Sequence, residues 1–324
     1  MLNYIIKRLL WMIPVILGVL LIVFVLSVIT PGDPVDNVVG PDATVEAREA
    51  AREEMGLNDP VYVRFGKYVW GVVTRGDLGK SYTNHQPVVK EIMHRFPVTL
   101  KLTLASVTVA LLIALPLGVL SAVYQYSWVD NVTMASALFF VSIPQFWFAL
   151  MLLLIFSVKL QLLPASGING IASWILPVAM IGVGNVGNLA RVTRSSMLEV
   201  IRQDYIRTAR AKGQKKSVVI FKHGLRNALM PVIANVGNTI GVSLGGAVVA
   251  ESIFSIPGVG QFMLNAINSR DWPSVQGGIV ILAITFSVVM LLVDIVYTIV
   301  DPRLKTEFQS RNKIRRHKKE GAAV

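Results

Sequence analysis

The sequence predicts an all-α integral membrane protein with six transmembrane helices, and two observations lead to this fold class. Of its 324 residues, 53% are hydrophobic and 15% are charged, whereas soluble globular domains carry about 25% charged residues. Six apolar stretches reach the length of about 20 residues that a helix needs to cross a bilayer. The chain has no cysteine, which excludes a disulfide framework, a thiolate metal site and a thiol nucleophile.

The six apolar stretches contain few charged side chains. In chain order they are TM1 (9–29), TM2 (102–123), TM3 (132–158), TM4 (174–190), TM5 (232–250) and TM6 (279–300). TM1 follows two basic residues, Lys7 and Arg8, and the apolar core of a signal peptide also follows basic residues. However, TM1 is about twice as long as such a core, and no small-residue cleavage site follows it. We therefore interpret TM1 as a span that the protein retains.

The positive charges predict the orientation of the spans. Most of the 31 lysines and arginines fall in segments that a six-span chain places on one side of the membrane, and basic loops stay in the cytoplasm. These segments are the N-terminus (1–8), a short connection (124–131), a long loop (191–228) and a basic tail (301–324). The net charge of +12 is thus a signal of topology, and nucleic-acid binding is not expected. The connection 124–131 has no Lys or Arg, so the charges do not support its position directly. The alternative is a chain with four spans, in which one of the apolar stretches would have to be buried or re-entrant.

The extracytoplasmic side receives the loops 30–101 and 251–278, and the first of these has a helical pattern. Residues that favour helices precede Gly56, and glycine commonly follows the last residue of a helix, so a first helix is expected to end there. Asp59 and Pro60 suit the N-cap and the first position of a second helix that ends near Gly76, and a third helix starts at Pro87. Because loops of this length are usually either functional or disordered, and the composition of this one is not that of a disordered segment, we expect a docking surface for a component that delivers substrate. A solvated connector is the alternative.

The loop 191–228 predicts a helix, a stop and a second helix. Its apolar side chains recur at helical spacing, at Met197, Leu198, Ile201, Tyr205, Ile206 and Ala209. Gly213 ends this helix, and a second amphipathic piece runs from Val218 to Pro231. The apolar stripe needs a surface, either anionic lipid or a protein partner, and periodicity alone does not separate the two.

The sequence patterns of catalysis and metal binding are absent. The four histidines show no H-E-x-x-H or comparable ligand spacing, and neither a phosphate-binding G-x-x-x-x-G-K-[ST] loop nor a G-x-S-x-G nucleophile elbow occurs. We therefore predict no enzyme activity, no catalytic residue, no metal site and no cofactor in this chain. Asp294 is the only ionisable side chain inside the predicted spans, which disfavours coupling to protons or sodium by embedded charges. The energy source is expected on another chain.

Four asparagines place amide groups on TM4 and TM5. They are Asn185, Asn188, Asn235 and Asn238. These side chains suit the lining of a translocation path, and hydrogen bonding between helices explains them equally well.

At the loop 191–228 the sequence resembles a known family. The stretch DYIRTARAKGQKKSVVIFKHGLRNALMP (204–231) is similar to the EAA-type cytoplasmic loop of ATP-binding-cassette (ABC) importer permeases in its peptide-permease variant. Further motifs follow in the order of that family: TPGDP (30–34), GLNDPVYVRFGKY (56–68), GDLGKS (76–81), RSSMLEV (194–200), FSIPGVGQ (254–261), RDWPSVQGG (270–278) and DPRL (301–304). The resemblance covers about residues 1–305, with a permease domain at about 95–304, and is to the first of the two permeases in dipeptide, oligopeptide, glutathione and nickel importers.

The resemblance implies a coupling role for the EAA-type loop. The Glu-Ala-Ala positions fall on Arg207, Thr208 and Ala209, and the motif glycine is Gly213; the departure from Glu-Ala-Ala is of the kind found in the peptide branch. The implied coupling residues, which would contact an ATPase subunit, are Asp204, Tyr205, Arg207, Thr208, Ala209, Ala211 and Gly213. The chain would then work with a second permease, two ATPases that bind ATP and Mg, and an extracytoplasmic substrate-binding protein, in a bacterial or archaeal cytoplasmic membrane with both termini cytoplasmic.

The substrate is less well specified than the function. The stretch that starts at Asp204 favours di- or oligopeptides. The short connection 159–173 resembles nickel and metal-chelate members, so these and glutathione are alternatives within the family. A stand-alone secondary transporter or channel is the alternative from another class, and it is disfavoured by the scarcity of charge inside the spans.

Overall fold

The computed structural model describes residues 2–40 and 42–300, and its regular elements are helices. An isolated antiparallel bridge joins Lys80 and Pro87. In chain order the helices are α1 (Leu2–Ile29), α2 (Pro34–Val39), α3 (Val45–Glu54), α4 (Val61–Arg75), α5 (Val88–Val123), α6 (Trp128–Ser142), α7 (Gln145–Leu152), α8 (Ala172–Ile201), α9 (Asp204–Ala211), α10 (Lys216–Val218), α11 (Arg226–Ile253), α12 (Val259–Asn268) and α13 (Trp272–Val300). Wider π-helical turns extend α7 over Leu153–Lys159 and join α10 to α11 over Val219–Leu225. The predicted all-helical fold class is confirmed.

Within the described residues, five helices are long and apolar enough to cross a membrane. They are Ile6–Ile29, Val88–Val123, Ala172–Ile201, Lys216–Ile253 and Trp272–Tyr297. A sixth span is formed if the pair Trp128–Ser142 and Gln145–Lys159, which is bent by 98°, counts as one. The bend falls where Pro144 precedes α7 as its N-cap residue, because proline has no N–H and disfavours helical backbone in the residue before it. The apolar stretch predicted as TM3 is therefore not one straight helix.

The helices are longer than the apolar stretches that predict them. Helix α5 begins at Val88 rather than at residue 102, and α8 continues beyond residue 190 to Ile201. Helix α11 extends past residue 250 and so contains Glu251. The reason is that hydropathy detects the apolar part of a helix, whereas the backbone hydrogen bonds continue through polar turns. The predicted basic tail (301–324), with its DPRL motif, lies outside the described residues.

The first loop is helical, as the sequence predicts. Gly56 (φ +65°) and Gly76 (φ +62°) follow α3 and α4 in the left-handed conformation that glycine adopts without strain. The start of α4 differs from the expectation, because Pro60 is the N-cap residue and Val61 the first helical one. Asp59 does not cap the helix; its carboxylate lies 2.6 Å from the ammonium group of Lys67.

The chain divides into two compact units. Unit 1 comprises the described residues up to Val109, together with Ile143–Gly182 and Ile240–Val288. It has two buried clusters of apolar side chains, one around Leu102, Met180 and Phe254, the other around Ile92 and Val280.

Unit 2 comprises Ala110–Ser142, Val183–Thr239 and the segment that starts at Val289. Its largest clusters join α5 and α8, through Ala114 and Leu189 and through Val119 and Met197. Close contact of α6 and α8 depends on Gly187, because a Cβ atom there would lie 2.6 Å from the carbonyl oxygen of Ala137. Small residues of this kind let helices approach closely in membrane proteins.

Candidate functional site

Helix α9 is two turns long and is held from one side. Its buried side chains, Ile206 and Ala209, pack against Val219 of the following π-helical turns, and Val200 of α8 contacts the same cluster. Residues three apart lie on one face of a helix. The remaining faces of α9 are consequently exposed on this chain.

A glycine in the left-handed conformation follows α9. Gly213 has φ +72°, and its amide donates to the carbonyl of Arg210 at 3.0 Å, while the amide of Gln214 donates to that of Ala209 at 3.4 Å. Most other residues are strained at such a φ. Within the described chain, nothing lies within 4 Å of the place where a Cβ atom on Gly213 would stand. A side chain introduced at this position would therefore extend away from the protein.

The structure brings the predicted coupling residues together but divides them into two groups. Ala209 is buried and holds α9 in place. The exposed group consists of Asp204, Tyr205, Arg207, Thr208, Ala211 and Gly213. The closest approach between the charges of Arg207 and Asp204 is 3.9 Å, and both side chains are mostly exposed, so this pair contributes at most about 1 kcal/mol. The exposed face of α9 is a short rigid surface and carries no reactive group.

A buried ion pair lies in the same unit, between the start of α6 and α8. Asp130 is 2% exposed and accepts hydrogen bonds from Nε (2.6 Å) and Nη2 (2.7 Å) of Arg194. It also accepts from the Ser121 hydroxyl and, at 3.0 Å, from the amide of Tyr126. Tyr126 has a left-handed backbone (φ +63°), so this carboxylate fixes the turn after α5. The ammonium group of Lys216 lies 5.2 Å from the ring centre of Tyr124 in the same turn.

The four asparagines predicted to line a path have different surroundings. The side-chain amide of Asn188 donates to Oδ1 of Asn235 at 3.4 Å, which is a contact between α8 and α11. Asn185 is buried. Asn238 is exposed on this chain. The contact of Asn188 with Asn235 favours hydrogen bonding between helices for these two residues, while path lining stays a prediction for all four.

Glu251 forms a polar centre in unit 1 that the sequence patterns did not single out. It is completely buried, and its Oε1 accepts from the Thr99 hydroxyl at 2.6 Å. Its Oε2 accepts from the amides of Gly260 (2.7 Å) and Gln261 (3.1 Å) in the first turn of α12, where a carboxylate faces the positive end of the helix dipole. A Cβ atom on Gly258 would overlap this carboxylate. The glycines of FSIPGVGQ thus make room for Glu251.

Asp271 is a second buried carboxylate of unit 1. Its Oδ2 accepts from the hydroxyls of Ser81 (2.6 Å) and Ser274 (2.7 Å), and its Oδ1 from the amide of Tyr82 (2.9 Å). It therefore joins two of the motifs, GDLGKS and RDWPSVQGG. Burial, and to a smaller extent the charge of Asp271, raises the pKa of the Tyr82 hydroxyl, while Arg64 opposes that shift.

Two cavities lie beside this cluster, with volumes of about 360 and 250 Å³. Both are lined by Met55, Gly79, Tyr82 and Pro273. The smaller one is also lined by Tyr68, whose pKa is raised above its ordinary value by burial and by the nearby carboxylate of Asp77. No group of three His, Asp or Glu side chains suited to a metal ion occurs among the described residues.

Sequence reasoning missed the embedded charges for identifiable reasons. Glu251 falls just beyond the apolar stretch of TM5, and Asp130 and Arg194 fall just outside TM3 and TM4, so Asp294 was expected to be the only ionisable residue in a span. The structure places all three within helices of the candidate spans. The signal that was available is the glycine pair around Val259, since glycines at a helix start often leave room for a group that approaches the backbone.

Most of the chain matches two descriptions of one protein family. Residues 114–306 match the binding-protein-dependent transport system inner membrane component, and residues 1–103 match the N-terminal membrane component of binding-protein-dependent transport systems. The dipeptide transport system permease protein DppB of Alkalihalophilus pseudofirmus is 40% identical, over 94% of this chain and 100% of that protein. The glutathione transport system permease protein GsiC of Escherichia coli O6:H1 is 38% identical, over 94% of this chain and 99% of that protein.

The structure is also similar to a solved one. An inward-facing conformation of the MetNI methionine ABC transporter superposes with a TM-score of 0.54 at 20% sequence identity, over 66% of this chain and 97% of that chain. At this identity the likeness is one of fold.

Proposed function

Because this chain belongs to the family of binding-protein-dependent transport system inner membrane components, we propose that its α9 couples ATP hydrolysis on partner subunits to the import of short peptides. Family membership confirms the prediction that the chain is a multi-pass membrane permease and not an enzyme. In the proposed assembly it pairs with a second permease and contacts ATPase subunits, which bind ATP and Mg. An extracytoplasmic binding protein delivers the substrate.

The exposed face of α9 supports the coupling role. Two buried side chains, Ile206 and Ala209, attach the helix to its own unit, and its last turn is closed by Gly213. If a partner binds the exposed face and moves, these contacts would transmit its movement to the rest of the unit, since a packed helix moves as a rigid body. Tyr205, which is 44% exposed, offers the aromatic area that is typical of the centre of protein interfaces.

Bulky substitutions on this face test the proposal. Gly213→Trp and Ala211→Trp place a large side chain on an exposed part of this chain. Gly213→Trp also strains the left-handed backbone at that position, whereas Ala211 is an ordinary helical residue, so a steric effect of Ala211→Trp must come from a partner. We expect both variants to reach the membrane in normal amount, to lose ATPase subunits during purification in mild detergent, and to lose uptake.

Gly213→Asn is the matched control, because asparagine tolerates a positive φ and is small; it should keep uptake and the ATPases. Normal uptake by well-expressed Gly213→Trp and Ala211→Trp variants would rule out α9 as the coupling element.

We also propose that both termini and α9 lie in the cytoplasm of a bacterial or archaeal cell. Most of the basic residues support this orientation, and the Asp130–Arg194 pair holds the short connection after α5 and the end of α8 at one level. Since the chain has no cysteine, single cysteines can report on it. A membrane-impermeant maleimide should label Glu53→Cys in intact cells and Ser217→Cys only after permeabilisation. The reverse pattern would invert the topology.

Peptides are the proposed substrates because the two relatives described above carry dipeptide and glutathione in their names, and glutathione is itself a tripeptide. The assembled transporter, reconstituted with its binding protein, should take up a labelled dipeptide or glutathione when ATP is present. Uptake of nickel without peptide competition would support the metal alternative. Flux through the purified chain alone without ATP would contradict the importer mechanism.

A further inference from the structure

Helix α4 has an apolar surface that the rest of the described chain does not cover. Phe65, Tyr68, Val69 and Val72 pack into the buried cluster around Ile92 and Val280, which also contains Leu20 of α1, and they form one face of the helix. A second set of apolar side chains stays exposed: Tyr62 (77% exposed), Trp70 (66%) and Val73 (69%). With about 100° of rotation per residue, this second set lies beside the packed face and not opposite to it.

The polar side chains of α4 occupy the remaining arc, and three of the four are basic. Arg64, Lys67, Thr74 and Arg75 follow each other around that side of the helix, whereas the apolar arc extends over about 220° at 100° per residue. The apolar arc of α4 is thus wider than the part that packs into the core, and it carries Trp and Tyr beside a basic polar arc. This is the pattern of helices that lie in a membrane interface.

The position of α4 along α1 puts it at the depth of the interface. The rings of Phe65 and Phe24 are 5.2 Å apart, and the guanidinium group of Arg64 lies 5.9 Å from the ring centre of Phe24. Phe24 is five residues from Ile29, the last residue of the first candidate span, which is about 8 Å at 1.5 Å per residue. A helix that contacts α1 at this level lies next to the boundary between acyl chains and headgroups.

We propose that the face formed by Tyr62, Gly66, Trp70 and Val73 is embedded in the headgroup boundary of the bilayer. The exposed apolar side chains run from the first to the last turn of α4, so burying all of them requires the helix axis to lie along the membrane surface. Exposed apolar side chains of α1 between Leu21 and Ile29 continue this surface towards the acyl chains. Arg75 and Lys67, whose ammonium group also pairs with Asp59, then lie near anionic lipid headgroups, and α4 anchors the first loop to the membrane independently of any partner protein.

A nitroxide scan of α4 tests this proposal, and the cysteine-free chain makes single labels possible. Cysteines at positions 62, 70 and 73 are labelled in the assembled transporter, built with cysteine-free partner subunits, in vesicles of phosphatidylethanolamine and phosphatidylglycerol. Collision rates with oxygen, which concentrates in lipid, and with a water-soluble nickel chelate give the depth of each label. Peptide uptake by each variant confirms that it is assembled.

Thr74→Cys and Lys67→Cys are the matched controls, because they lie on the polar arc of the same helix. We expect the ratio of oxygen to nickel collisions to be several-fold higher at 62, 70 and 73 than at the two controls, with a helical period along α4. Equal ratios on both arcs would overturn the proposal in favour of a water-facing helix. Labels at 62, 70 and 73 that are inaccessible to both reagents, or become so when the binding protein is added, would overturn it in favour of a protein contact.

Discussion

The Asp130–Arg194 pair predicts an unequal and non-additive response to substitution. The Asp130 side chain is 3% exposed and that of Arg194 is 23% exposed. Arg194→Gln leaves a buried carboxylate without its counter-charge, and breaking a buried pair in this way costs about 3–5 kcal/mol. Asp130→Asn leaves a guanidinium group that still reaches solvent, so its cost should be smaller.

The double variant separates the charges from the packing. Asp130→Asn with Arg194→Gln removes both charges and lets the two amides hydrogen bond to each other. We expect its loss of stability to be smaller than the sum of the two single losses by about 1–3 kcal/mol, as is usual for residues in direct contact. Recovery should be incomplete, because Ser121 and the amide of Tyr126 donate to different oxygens of Asp130 and asparagine replaces one of these oxygens with an NH2 donor.

Unfolding in detergent mixed with increasing amounts of sodium dodecyl sulfate measures these free energies, with membrane abundance as a second readout. The matched control is Asp59→Asn, which breaks the exposed pair with Lys67 and should change stability by less than about 1 kcal/mol. Single losses that add up in the double variant would show that the two charges act independently, and the reasoning from a buried pair would then be wrong.

Two further changes test the other buried carboxylates. Gly258→Ala forces the Glu251 carboxyl group away from the amides of α12, and leaving a buried donor or acceptor unsatisfied costs about 1–3 kcal/mol. Membrane abundance of this variant should fall. Gly245→Ala, whose added Cβ atom meets no atom within 4 Å, should keep the parental abundance. Asp271→Asn should speed hydrogen exchange in the turn that begins at Ser81, and exchange at the parental rate would refute the anchoring role.

Local chemistry explains what the sequence predicts well. Gly56, Gly76 and Gly213 each follow a helix with a positive φ, and glycine in that role is recognisable without tertiary information. The periodicity that places Ile206 and Ala209 on one face of α9 is equally local. The surface that buries them is not local, since it requires the π-helical turns that begin at Val219.

Long-range contacts explain what the sequence does not predict. Prolines illustrate this, because Pro14, Pro177 and Pro231 lie inside continuous helices, whereas Pro144 precedes a bend of 98°. Whether a helix continues through a proline depends on neighbours that supply packing and partners for the freed carbonyl. Asp130 and Arg194 are likewise 64 residues apart, and no local pattern joins them.

Three buried carboxylates determine how the helices of each unit fit together. Hydrophobic burial gives little preference between packing arrangements inside a bilayer, because lipid chains are as apolar as helix faces. Asp130 in unit 2, and Glu251 and Asp271 in unit 1, each accept hydrogen bonds from segments distant in sequence. A shift of one helix turn would leave a buried carboxyl group without its hydrogen-bond donors, at a cost of several kcal/mol. The interior of each unit is therefore fixed by directional contacts, whereas α9 is attached to unit 2 through two buried apolar side chains, Ile206 and Ala209.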